Sequence, residues 1–296
     1  RLCEIVRPTV GLITNIGPDH LEFFGNMEGS AQAKAELLDM LPSDGTAILN
    51  ADDTYFDYLA ARAQCRVMSF GLSEMADVRA SGIMSDARQG TTFRLHLPGK
   101  SRPTTVRIKV HGTHNVTNAL AAAAVGVSLN LSGSMIAQGL GRFRPAAMRS
   151  QVVTHHGVHI INDCYNANPA SMKAALQLLA QWSPARERIA VLGDMLELGS
   201  ETAKLHRDVG EFLALQGLSR LIVCGTLGRD IAAGARLGGM AGSQIDEVMD
   251  ASTAADRLKR IVRQGDVVLV KASRGMKMEQ VVQVLTGMRA VIKQAS

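Results

Sequence analysis

Asp266-Val267-Val268-Leu269-Val270-Lys271-Ala272-Ser273-Arg274-Gly275 carries the pattern that decides the fold. An apolar, β-branched run passes directly into two cations, a hydroxyl and a glycine, which predicts a strand over 266–270 ending in a polar loop. Upstream, 188–192 and 220–224 repeat the apolar run. Helical spacing falls between and around them, at 171–181, 202–215, 227–233, 254–263 and 278–288. Strands alternating with helices of about 10–15 residues mean βαβ units and a parallel sheet, so the fold class is α/β. Residues 151–155 and 158–162, joined across Gly157, predict a hairpin at the start of this half.

The first half mixes its signals. An apolar strand is expected at 9–14, a helix at 30–40, a short strand at 46–49 and a helix at 53–62. Between 78 and 110 the rhythm changes to short alternating runs such as Thr92-Phe93-Arg94-Leu95-His96-Leu97, which suit antiparallel strands. Alanine-rich helical spacing follows at 116–127, with a second helix at 134–140. Gly141-Arg142-Phe143-Arg144-Pro145-Ala146 is the best linker, which divides the 296 residues into 1–146 and 147–296.

Composition narrows the function classes. Hydrophobic residues make up 46% of the chain and charged ones 20%, enough for real cores in a soluble protein. Aromatics are only 4%, and the net charge of +5 is spread rather than clustered. Stacking recognition of nucleic acid is therefore disfavoured, and mild attraction for anionic small molecules is favoured. Cys3, Cys65, Cys164 and Cys224 form no CxxC pair, which argues against a zinc or disulfide scaffold and fits a reducing cytoplasm. No apolar run approaches the roughly 18 residues of a membrane span.

Several strings could carry chemistry. Asn15-Ile16-Gly17-Pro18-Asp19-His20 leaves a strand, where ligands of open α/β sheets bind, although an isolated loop His more often packs or caps. Ala33-Lys34-Ala35-Glu36 sets a Lys on a small-residue helical stretch. It is either a snorkelling surface side chain or an amine whose charge is easily shifted. His111-Gly112-Thr113-His114-Asn115-Val116-Thr117-Asn118 opens the alanine helix. Its two amides, three residues apart, can cap the helix or read the edge of a base. Asn162-Asp163-Cys164-Tyr165-Asn166-Ala167-Asn168-Pro169 ends a strand and precedes a helix, with Pro169 suited to the first turn. Asp and Asn clusters are also plain turn formers. Gly193-Asp194-Met195 leaves its own strand in the same way, and Lys271, Ser273 and Arg274 form an anion site beyond theirs. Polar residues converging at three strand ends favour an enzyme over a structural protein. There is no GxxxxGK[ST], no GxGxxG after a strand and no GxSxG in these residues.

Taken in order, these strings resemble the Mur ligases over essentially the whole chain. The Pro8–Gly17 stretch, Ala33-Lys34-Ala35-Glu36 and Gly112-Thr113-His114-Asn115 are shared by the family in general. Tyr165-Asn166-Ala167-Asn168-Pro169, Gly193-Asp194-Met195-Leu196-Glu197-Leu198-Gly199 and Lys271-Ala272-Ser273-Arg274 point to the member that adds D-alanyl-D-alanine. The resemblance implies the C-terminal part of a central ATPase domain followed by a Rossmann-like domain. It also implies a cytoplasmic ligase, monomeric at full length, that builds peptidoglycan precursor. Such an enzyme phosphorylates the carboxylate of UDP-N-acetylmuramoyl-tripeptide with ATP and Mg2+, and the amine of D-alanyl-D-alanine then attacks the acyl phosphate.

Carried over by motif, His20 is implied as a magnesium ligand and Lys34 as a carbamylated lysine organising a second one. Asn115 and Asn118 are implied to hold adenine, Arg149 an ATP phosphate from a hinge near 144–149, and Asp163 the ribose. Tyr165, Asn166, Asn168, Lys271, Ser273 and Arg274 are implied to line the cleft for dipeptide and peptide. The family's phosphate-binding loop, the glutamate after it and the UDP-sugar domain lie upstream of Arg1. The resemblance therefore implies residues that do not turn over by themselves. Alternatives are another Mur ligase, a folylpolyglutamate synthase, a catalytically dead nucleotide- or peptide-binding module and, least favoured, a bare Rossmann dehydrogenase.

Overall fold

The computed structural model describes residues 2–18, 21–86 and 89–287. The chain divides into two compact units, Arg1–Arg144 and Pro145–Ser296. In the first, the elements are α1 (Leu2–Val6), β1 (Val10–Ile13), α2 (Leu21–Phe24), α3 (Met27–Asp39), β2 (Thr46–Asn50), α4 (Phe56–Arg62) and β3 (Arg66–Gly71). β4 (Val78–Asp86), β5 (Gly90–His96), β6 (Thr104–Ile108), α5 (Thr113–Ser128) and α6 (Gly133–Arg142) follow. The sheet runs β1-β2-β3-β4-β5-β6. β1 to β4 pair in parallel and β4 to β6 antiparallel, the change of rhythm that the alternating runs from residue 78 announce.

β2 shows how two cores share one sheet. Its side chains alternate faces, so Ala47 and Leu49 join α3 and α4 in one cluster while Ile48 joins α5 in the other. Alanines 119, 121, 123 and 124 pack α5 onto the sheet in that second cluster.

The second unit contains β7 (Gln151–His155), β8 (Val158–Asn162), α7 (Pro169–Gln181), β9 (Arg188–Gly193), α8 (Thr202–Ala214) and β10 (Arg220–Cys224). α9 (Gly228–Leu237), β11 (Ile245–Val248), α10 (Ala251–Ile261), β12 (Val267–Lys271) and α11 (Glu279–Thr286) complete it. The strand order is β11-β10-β9-β12-β8-β7, parallel except for the β7–β8 hairpin. β12 lies between β8 and β9 and is buried along its whole length. A strand covered on both faces needs the unbroken apolar run that Val267–Val270 supplies. Val270 pairs with Asn162 and Lys271 with Leu192, so the chain leaves three neighbouring strands at one level.

Two strands carry no clear signal in the sequence. β3 includes Ser69, whose backbone N–H and hydroxyl both bond Asp77. β11 is Ile-Asp-Glu-Val, and Arg257 and Arg236 neutralise Asp246 and Glu247. α4 begins at Phe56 and not at 53, because Asp53 accepts hydrogen bonds from the Ile16 and Tyr55 N–H groups and forms a turn. Among the described residues no helix is long and apolar enough to cross a membrane.

Candidate functional site

In the first unit, the loop leaving β1 is held by the end of β2. Asn50 Nδ2 donates to the Thr14 carbonyl at 3.0 Å, and Asp53 Oδ2 accepts from Ile16 N at 2.7 Å. Half-buried Lys34 on α3 reaches the same loop, its Nζ lying 3.4 Å from the Asn15 carbonyl. The buried Ala31 and Ala35 beside it let the helix approach closely. His20 lies outside the described residues.

α5 starts at Thr113, so Asn115 sits in its first turn and Asn118 in the next. Asn115 does not cap the helix by accepting from its N–H groups. It donates Nδ2 to the His111 carbonyl at 2.7 Å and lies 3.0 Å from His114 Nε2. Gly112 has φ +90°, and a Cβ there would come within 2.7 Å of the His114 ring, so glycine is required at this turn. Asn115, Asn118, Ala119, Ala122 and Gly126 form one stripe of α5 that faces α6 across a cavity of about 410 Å3. Its other walls are apolar, including Ile108, Ile136 and Phe143. The volume falls within the range of about 300–1,000 Å3 usual for small-ligand sites. An apolar slot with two amides in its lining suits a flat heteroaromatic ring.

In the second unit, β12 delivers Lys271 to the rim almost fully buried. Its Nζ donates to Asp163 Oδ2 at 2.6 Å and to the Asn166 carbonyl at 2.9 Å. Asp163 Oδ1 accepts from Ser150 N at 2.7 Å, which ties the entry of the unit to the β8 end. Buried Ser273 accepts from Leu196 N at 2.9 Å through its hydroxyl. Arg274 bonds Glu279 Oε1 at 3.0 Å, and the Arg149 guanidinium lies 4.0 Å above the Tyr165 ring. Asn168 is the N-cap of α7, accepting from Ser171 N at 2.7 Å in a capping box, with Pro169 next. Tyr165, Asn166, Arg149 and Arg274 thus present side chains outward, while Lys271, Asp163, Ser273 and Asn168 shape the rim from within.

Beneath the rim lies the carboxylate of the Gly193-Asp194-Met195 string. Asp194 is buried and accepts from Leu227 N at 3.1 Å and Gly228 N at 2.8 Å, at the start of α9. Burial raises its pKa, and those N–H groups oppose the rise. Gly225, at φ +101°, leaves room for it, since a Cβ there would lie 2.5 Å from the carboxylate oxygens. His206 accepts from Met195 N at 2.9 Å through Nε2, so the ring is neutral with its proton on Nδ1, which bonds the Thr202 carbonyl at 2.7 Å. Burial lowers its pKa. Burial likewise raises the thiol of Cys164 and pushes that of Cys224 up to about 11, so neither is a nucleophile at neutral pH.

Residues 1–126 match the Mur ligase middle domain, and 148–274 match the Mur ligase glutamate ligase domain. The chain belongs to the Mur ligase family. The UDP-N-acetylmuramoyl-tripeptide–D-alanyl-D-alanine ligase of Bacillus subtilis (strain 168) is 34% identical over 282 residues, 95% of this chain and 60% of that protein. The corresponding ligase of Mycobacterium tuberculosis (strain H37Rv) is 39% identical over 292 residues, 92% of this chain and 57% of that protein. Among solved structures, MurF from Acinetobacter baumannii superposes with a TM-score of 0.86 at 30% identity, covering 96% of this chain and 61% of that one. MurF ligase from Thermotoga maritima, in complex with ADP, gives 0.83 at 26% identity, covering 96% and 63%. The chain spans about three fifths of the length of these relatives, 60% and 57% of the two named ligases.

The α5–α6 cavity and the pairing of Glu279 with Arg274 are the features that the sequence leaves unmarked. The helical stripe of small residues from Ala119 to Gly126 was the available signal for the first. Glu279 stands in Met278-Glu279, the string on which the resemblance to the family ends, but nothing local ties it to Arg274.

Proposed function

We propose that this chain supplies the adenine-binding and acceptor-binding parts of an ATP-dependent ligase that joins D-alanyl-D-alanine to UDP-N-acetylmuramoyl-tripeptide. The single observation that carries the reading is the β8–β9–β12 rim, where Lys271, Ser273 and Arg274 meet Asp163 and the Tyr165–Asn168 turn. Relatives named for this reaction align along nearly the whole chain, which supports the choice of acceptor.

The chemistry follows from what the groups can do. ATP phosphorylates the tripeptide carboxylate, and the dipeptide amine attacks the resulting acyl phosphate. Negative charge then develops on the carbonyl oxygen and on the departing phosphate. Lys271 gives two of its three N–H donors to Asp163 and Asn166, which fixes its ammonium group at the rim with its charge partly offset by the carboxylate. Arg274 and Arg149 add cations with outward-facing edges, and Tyr165 offers an exposed ring against the substrate. In the first unit the cavity takes the adenine, with Asn115 and Asn118 reading its edge. Filling the slot tests this assignment. Ala122→Phe in the complete ligase should raise the KM for ATP by about tenfold or more and leave that for the dipeptide unchanged. An unaltered KM for ATP would place the nucleotide elsewhere.

Mg2+ belongs to the family reaction, and the described residues do not by themselves make a site for it. Among them no three His, Cys, Asp or Glu side chains cluster, and Lys34 as a plain amine donates to a carbonyl. We infer that Lys34 is carbamylated in the active ligase, which turns a cation beside the β1 loop into an anion. Lys34→Ala should then abolish ligation, with partial rescue by short carboxylic acids. Full activity in that variant would remove the role.

A further inference from the structure

Glu279 opens α11 beside the rim and is only 8% exposed. One carboxylate oxygen accepts from Arg274 Nη1 at 3.0 Å, and the other is buried with no hydrogen-bond partner among the described residues. A buried carboxylate with a single cationic partner is expensive to keep, and it holds that partner firmly. The Arg274 side chain is 44% exposed against 11% for that of Glu279, so the guanidinium is gripped on its inner side and open on its outer side. Among the described residues the same nitrogen also lies 3.6 Å from the Met148 sulfur.

The other cations of the rim are differently committed. Lys271 is buried against Asp163 and Asn166, and Arg149 lies on Tyr165. Of the dipeptide's two charged ends, the amine must stay free to attack. Its terminal carboxylate is the end a protein can grip, and a planar guanidinium with a free edge binds a carboxylate through paired hydrogen bonds.

We propose that Glu279 is a positioning residue that fixes Arg274 for the terminal carboxylate of the dipeptide acceptor. The proposal rests on the ligase reading above. In the complete ligase, Glu279→Gln should raise the KM for D-alanyl-D-alanine by about tenfold, with kcat and the KM for ATP within about twofold of the parent. Arg274→Ala should raise the same KM further, and adding Glu279→Gln to it should change nothing more. The dipeptide carboxamide, which lacks the charge, should be used poorly and equally well by parent and Glu279→Gln. If Glu279→Gln does not fold, Glu279→Asp, which keeps the charge on a shorter arm, should give a smaller rise in the same KM. A Glu279→Gln effect that persists undiminished in the Arg274→Ala background would overturn the proposal, as would a loss confined to kcat. An Arg274→Ala variant with unchanged KM for the dipeptide would remove the acceptor assignment itself. A silent Glu279→Gln beside a raised KM in Arg274→Ala would remove only the positioning role.

Discussion

Lys271 and Asp163 stand 108 positions apart in sequence and 2.6 Å apart in space. Both are largely buried, with 3% and 14% of their side chains exposed. Removing one partner of such a pair strands the other charge and costs on the order of 3–5 kcal/mol. Lys271→Met should therefore lower the melting temperature of the ligase and abolish turnover, whereas Asp163→Asn with Lys271→Met should recover stability but not activity. A double variant no more stable than Lys271→Met would mean that the pair does not account for the loss. Each of these residues is legible singly, because polar side chains after an apolar strand stand out. Their partners are not, because a string reports neighbours along the chain and Lys271 finds Asp163 only through the β8–β12 pairing. Asn168 shows the converse. Its string marks it as unusual, yet its oxygen is used by the first turn of α7.

At the scale of elements, α8 is fastened to the end of β9 by a neutral histidine. His206 accepts from Met195 N and donates to the Thr202 carbonyl, both at the base of the rim. Burial places its folded pKa below the ordinary 6.5. Between the folded value and 6.5 the unfolded chain binds the proton and the folded one does not. The neutral ring's contribution is thus complete above about pH 6.5 and lost as pH falls through the folded pKa. Denaturant melts of the second unit should show stability falling below about pH 6.5, and His206→Gln should flatten that slope. An identical slope in the variant would exclude His206 as its source. Helices and central strands of this unit were readable because β12 and β9 are nearly pure apolar runs. β11 was not, because its two acids are paired with Arg236 and Arg257 by the fold and look like loop charges without it. Helix starts shifted for a similar reason, as Asp53 serves a turn before α4.

For the molecule as a whole, two α/β units each carry a candidate site built at strand or helix ends, one apolar with amides and one cationic. The α/β class and the division near residue 145 follow from periodicity and the Gly141–Ala146 stretch. The α5–α6 cavity does not, since its walls are ordinary apolar positions whose separation depends on how the two helices pack. The most direct test is phosphate release from ATP by the protein expressed from its complete gene, with UDP-N-acetylmuramoyl-tripeptide and a choice of amine acceptors. Release should require both the tripeptide and D-alanyl-D-alanine and should yield the pentapeptide product. Release supported by a single amino acid such as glutamate or a diamino acid, with none from D-alanyl-D-alanine, would contradict it.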